Sequence, residues 1–128
     1  MKSYKDLDVY QLAHDLAVKT HRMTLELLPK FEMYEEGGQI RRSSKAISSN
    51  IVEGFRRKQY QQEYIRFLTY ALASCDETKE HLELLWDTAS LKDSTLRDFL
   101  LEGYENLGKK LFRLRETIDI SLNKSILS

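Results

Sequence analysis

A chain of 128 residues, 41% hydrophobic and 31% charged, is too apolar to stay disordered, too charged to be a membrane protein, and close to the commonest size of one domain. Five glycines and one proline are few chain breakers, which excludes an architecture of many short strands and favours long helices. Twenty Lys and Arg offset twenty Asp and Glu, so the formal charge is zero, without the basic balance that nucleic-acid binders usually carry.

The first helix is expected over about residues 7–28. Val9, Ala13, Leu16, Thr20, Met23 and Leu27 recur every three or four positions, which places them on one stripe. Asp6 or Asp8 suits the free N–H groups of the first turn, and Pro29 stops the run. A connector follows over 30–38, with Gly37-Gly38 as its strongest break. The second helix is expected over about 39–54, with Ile40, Ser44, Ile47, Ile51 and Gly54 or Phe55 facing inward. Small residues at Ser43, Ser44, Ala46, Ser48 and Ser49 would let a neighbouring backbone come close. Gly54 and the run Arg56-Arg57-Lys58 mark a turn.

The third helix, about 60–89, carries Tyr64, Phe67 or Leu68, Ala71, Cys75, Thr78, Leu82, Leu85 and Ala89 in the same rhythm. A connector over 90–94 offers Asp93, Ser94 or Thr95 as a cap. The fourth helix, about 94–122, repeats Leu100, Tyr104 or Gly103, Leu107, Leu111, Leu114, Ile118 and Leu122, and residues 123–128 are expected to fray. Four amphipathic segments joined by short links predict an all-α fold, an antiparallel up-down four-helix bundle in a single domain spanning 1–128.

No apolar run nears the ~20 residues of a membrane span, and the N-terminus leads into an amphipathic segment rather than a signal core. One cysteine can form neither an internal disulfide nor a zinc site. These features point to the cytoplasm and to no membrane partner.

The search for catalytic chemistry is negative. A carboxylate-bridged di-iron bundle needs Glu-x-x-His pairs, but Gln11, Val18 and Thr78 stand three residues before His14, His21 and His81. No histidine follows an arginine by four to six residues, as in helical toxin ribonucleases. His14 and His21 share a face but lie about 10.5 Å apart along the axis, too far for one metal, and read as solvent-facing or boundary residues. Cys75 falls on the inward stripe and reads as core. No Gly-rich phosphate loop is present. The expectation is a non-enzyme without metal or cofactor.

The charge distribution is the one suggestive feature. Residues 41–66 hold seven basic residues against two acids, and 76–105 hold three against nine. On a helix, Arg42, Lys45, Ser49, Glu53 and Arg56 share one stripe, with Arg41 beside it and Gln39, Asn50, Arg57 and Lys58 nearby. Cations in a row with amide and hydroxyl neighbours suit phosphate contact without base selectivity. The competing reading pairs these bases with the acidic half of the same chain or of a neighbouring subunit, which would leave a protein-binding adaptor or scaffold.

The stretch QIRRSSKAISSNIVEG, Gln39 to Gly54, resembles the signature Q-L-R-R-A-A-x-S-I-P-x-N-I-A-E-G of the 23S rRNA intervening-sequence protein family. Leu7 to Ala13 is similar to the opening L-x-V-W-Q-x-A of that family, and Phe67 to Ser74 to its F-L-x-I-A-x-G-S. The resemblance implies a four-helix bundle that assembles into a homo-oligomer, a pentamer. Members are encoded within inserts in bacterial 23S rRNA genes or as free-standing genes. The related accessory variability determinant of diversity-generating retroelements forms a basic pentameric barrel that binds nucleic acid and a reverse transcriptase. On matching positions the resemblance singles out Gln39, Arg41, Arg42, Asn50 and Glu53 as binding or subunit-interface residues. Two departures stand out. Ser48 replaces the usual proline, which predicts a straighter second helix, and the neutral charge contrasts with the basic retroelement branch.

Overall fold

In a computed structural model that describes residues 3–127, the chain forms four long helices and, among the described residues, no strand. They are α1 (Asp8–Glu26), α2 (Glu36–Arg56), α3 (Gln61–Asp87) and α4 (Ser94–Leu127). Short 3₁₀ turns at Tyr4–Asp6 and Lys30–Met33 precede α1 and α2.

Each helix packs on the next in sequence, and α4 closes back on α1. Side-chain pairs give the directions. Glu36 meets His81 and Ser43 meets Thr78 between α2 and α3, while Thr69 meets Arg115 and Gln61 meets Ser121 between α3 and α4. In each case one number rises as the other falls, so neighbours run antiparallel. The α2–α3 contact is the most extensive. There the buried Thr78 hydroxyl donates to Ser43 at 2.9 Å, and a Cβ at Gly54 would stand 3.1 Å from Phe67. Small side chains do bring a neighbour close, as expected, but Ser43, Ser44 and Gly54 achieve it; Ser49 is exposed and Ala46 and Ser48 only half-buried.

The inward stripes are those the periodicity predicts. Ala13, Leu16, Ile40, Ile47, Ile51, Leu68, Ala71, Leu82, Leu85, Leu100, Leu107 and Leu111 are buried in one core. Cys75 is buried among them; burial pushes its thiol up to about 11, and its Sγ donates to the Tyr104 carbonyl at 3.2 Å. An inert thiol in the core follows.

Several helix ends differ from expectation, each for a local reason. Leu27 is exposed because α1 stops at Glu26, and Leu7, not an aspartate, occupies its N-cap. Asp6 instead accepts from the Ser3 amide, inside the first 3₁₀ turn. α2 begins at Glu36, so Gly37-Gly38 lies in its first turn rather than in a break. A Cβ at Gly37 would stand 2.4 Å from the Glu32 carbonyl oxygen, so the glycine lets the second 3₁₀ turn fold down onto α2. α2 also continues to Arg56, past residue 54. With serine at 48 the helix is uninterrupted, and the Ser48 hydroxyl donates back to Lys45 at 3.1 Å. α3 ends at Asp87, and Ala89 is an exposed residue at φ 64° rather than part of the inward stripe. Asp93 caps α4 by accepting from Leu96 at 3.0 Å. α4 stays helical through Leu127 where fraying is expected from 123; the expectation for Ser128 lies outside the described residues.

Candidate functional site

The basic stripe read from the sequence divides when α2 is seated between α1 and α3. Gln39, Arg42, Ser49 and Arg56 point outward and are exposed. Lys45 is also exposed but turns toward α1, where with Ser48 it lines a groove against His14, Val18, His21 and Arg22. Among the described residues Arg22, Arg42 and Lys45 form no ion pair or hydrogen bond.

The remaining predicted residues are engaged within the fold. Arg41 donates to Thr24 Oγ1 at 3.0 Å and to the Met33 carbonyl, joining α2 to α1 and the second 3₁₀ turn. Asn50 donates to the Ala46 carbonyl one turn back, at 2.9 Å, and is half-buried. Glu53 holds Arg57 at 2.6 Å, with the Arg57 guanidinium over the Phe67 ring. Arg56 lies over Tyr4 and Lys58 over Phe55. The cations at the end of α2 also face the negative pole of the helix dipole.

Pairing with the acidic half of the chain therefore does not account for the basic stretch. Only Arg57 and Arg66 of that stretch form ion pairs among the described residues, each with an acid three or four positions away, Glu53 and Glu63. Such exposed local pairs contribute roughly 0.3–0.5 kcal/mol each. Two acids of α3 and α4 have local partners, Asp76 with Lys79 and Asp98 with Arg97. Charge is divided along the chain, and unpaired cations remain on the α1–α2 face, as Lys109 and Arg113 do on α4.

The sequence missed the α1 side of this face. Arg22, His14 and His21 contribute to it as much as α2 does, and the shared face of His14 and His21 with Arg22 alongside was the available signal. His21 is half-buried and its Nδ1 is covered without a hydrogen-bond partner. In either tautomer this nitrogen is left without a partner in the folded chain. Burial, then the charges of Lys45 and Arg41, push the ring below its usual 6.5. The folded chain thus binds fewer protons here than the unfolded chain, and the stability contribution is present above pH 6.5 and lost as the pH falls below it. Urea midpoints of His21→Gln are expected to fall less steeply than those of the parent below pH 6.5; parallel curves would remove this assignment.

His81 is the remaining histidine of interest. Its Nδ1 lies 2.6 Å from Glu36 Oε2 and its Nε2 3.5 Å from Glu77 Oε1, tying the start of α2 to α3. Among the described residues no group of three or more His, Cys, Asp or Glu could hold a metal ion, and no helix is long and apolar enough to cross a membrane.

Comparison with known proteins bears on the fold and the family. No curated protein matches the chain. A crystal structure of a protein of unknown function from the S23 ribosomal protein family of Bacteroides thetaiotaomicron VPI-5482 superposes with a TM-score of 0.76 at 24% identity, covering 84% of this chain and 95% of that one. At that identity the likeness establishes the fold alone. The sequence model described as 23S rRNA-intervening sequence protein matches residues 5–113, which takes in α1, α2, α3 and the first part of α4. The chain belongs to the 23S rRNA-intervening sequence protein family.

Proposed function

We propose that this chain is a non-enzymatic, cytoplasmic, self-assembling bundle that binds RNA or DNA by its backbone phosphates along the α1–α2 face. The observation that carries this reading is the free state of Arg22, Arg42 and Lys45, exposed cations without a carboxylate partner among the described residues. A guanidinium left unpaired beside an ammonium suits phosphate oxygens, and such contacts position a nucleic acid without reading its sequence. Division of charge along the chain supports the same reading, because the acidic stretch would turn a polyanion toward the basic one.

Self-assembly draws support from α4. Phe112, Ile120 and Leu127 are exposed and lie within about 80° of one another around that helix at 3.6 residues per turn. Phe112 also separates two grooves between α3 and α4. Exposed Glu116 and Asn123 fall in the same sector, so the face offers apolar side chains set among polar ones for contact between copies.

A mobility-shift titration of the full chain against structured RNA and against DNA of the same sequence, at ~50 and ~200 mM salt, tests the reading. Binding is expected at low salt and is expected to weaken steeply with salt as condensed counterions are released. Absence of binding to both nucleic acids at low salt would overturn it. A second reading, a protein-binding adaptor, is favoured by the exposed Leu27, Phe31 and Tyr34 at the α1–α2 connection. It predicts retention of a polypeptide, and no nucleic acid, with the purified protein.

A further inference from the structure

The groove between α1 and α2 is more apolar than phosphate contact requires. The buried Ala17 and the exposed Val18 supply its apolar lining, and its volume is about 240 Å³. One water molecule claims ~30 Å³ of liquid, so the groove has room for a flat ring rather than for a lone ion. The rings of His14 and His21 stand two turns apart on one wall, and Lys45 and Ser48 form the other. Arg22 and Lys45 are the unpaired cations at its rim.

Two details suit a ring with polar edges. His21 Nε2 is not among the covered, unpartnered atoms and can donate or accept according to tautomer. The Ser48 hydroxyl donates to the Lys45 carbonyl, which leaves its oxygen free to accept. Beyond the groove the aromatic line continues. Tyr10 and His14 lie with centroids 5.7 Å apart at 33°, Tyr4 stands edge-on to Tyr10 at 4.9 Å, and Arg56 covers Tyr4. Rings interleaved with cations along one seam form the arrangement on which unstacked bases lie while their backbone follows positive charge.

We infer that the α1–α2 groove seats an unpaired nucleobase, with its flanking phosphates on Arg22 and Lys45, so that the chain prefers single-stranded nucleic acid to duplex. The inference rests on the phosphate-binding reading and sharpens it. A paired base presents only its edge and cannot enter the groove without leaving its stack.

The test uses the full chain and a 12-nucleotide strand carrying one 2-aminopurine, alone and annealed to its complement, at low salt. The single strand is expected to bind about tenfold more tightly than the duplex, with a change in 2-aminopurine emission, as one inserted base would give. Val18→Met with Ser48→Met fills the groove without altering charge, and is expected to abolish the preference and the emission change while both forms still bind. His14→Ala with His21→Ala removes the groove's ring walls and is expected to do the same, which covers a filled variant that fails to fold. Equal affinity for both forms, or a preference that survives both pairs of substitutions, would overturn the inference and leave the phosphate-binding reading standing. No binding of either form by the parent would overturn both.

Discussion

Tyr104→Ala is expected to lower the stability of the bundle by about 3–5 kcal/mol, the usual cost of emptying a large aromatic site in a core. Tyr104 is fully buried, and it is the side chain that ties α4 across the bundle. Its hydroxyl lies 2.6 Å from Thr20 Oγ1 on α1, and Cys75 of α3 donates to its backbone carbonyl. Burial holds the phenol protonated far above its ordinary range. Removing the ring leaves a cavity and also strands the Thr20 hydroxyl, which is fully buried. Tyr104→Phe separates the two effects. It keeps the ring and strands only the hydroxyl partner, so about 1–2 kcal/mol is expected. Against a total of about 5–15 kcal/mol for a domain, that loss is a large fraction of the stability. Urea unfolding monitored by circular dichroism measures both, and a Tyr104→Ala loss below 1 kcal/mol would contradict this account of the core.

The helix faces were readable in the sequence because burial follows the 3.6-residue period, and the inward stripe of each helix is set by which residues avoid water. Tyr104 was legible on that ground alone. Its tie to Thr20 was not, because 84 residues separate them and no periodicity links one helix to another. Helix ends were the weaker part for a similar reason. Gly37-Gly38 reads locally as a break, yet contact with the Glu32 carbonyl makes glycine the residue that fits there inside a helix. Ala89 looks like one more inward position, but the chain leaves the helix two residues earlier and takes a left-handed turn at it.

For the candidate site, charge was legible and rotation was not. The sequence places Arg42, Lys45 and Arg56 on one stripe of α2, which is geometrically sound. Packing then assigns Lys45 to the α1 groove and leaves Arg42 and Arg56 outward, and it engages Arg41 and Arg57 with internal acceptors. Which cations remain free depends on partners far away in sequence, 17 residues for Arg41 with Thr24 and 52 for Arg56 over Tyr4. The same argument explains why Arg22 was not singled out and the α1 histidines read only as solvent-facing or boundary residues: their place in a groove exists only once α1 lies beside α2.

Arg22→Gln, Arg42→Gln and Lys45→Gln together are expected to produce the largest functional loss. If each cation neutralises one phosphate of a single strand, removing three lowers the salt slope, log K against log salt, by about 2. At ~0.1 M salt that corresponds to an affinity about a hundredfold weaker. All three side chains are exposed and form no hydrogen bond or ion pair among the described residues, so the unfolding midpoint should stay within about 0.5 kcal/mol of the parent. Arg57→Gln is the internal control. Its guanidinium is held by Glu53 and the Phe67 ring, so its loss should change the slope by well under one unit. Native mass of the triple variant decides between the two readings of this face. An unchanged mass with lost affinity places the cations against phosphate, whereas a fall to the monomer with affinity retained places them between subunits, where neutral glutamines no longer meet a neighbour's acids.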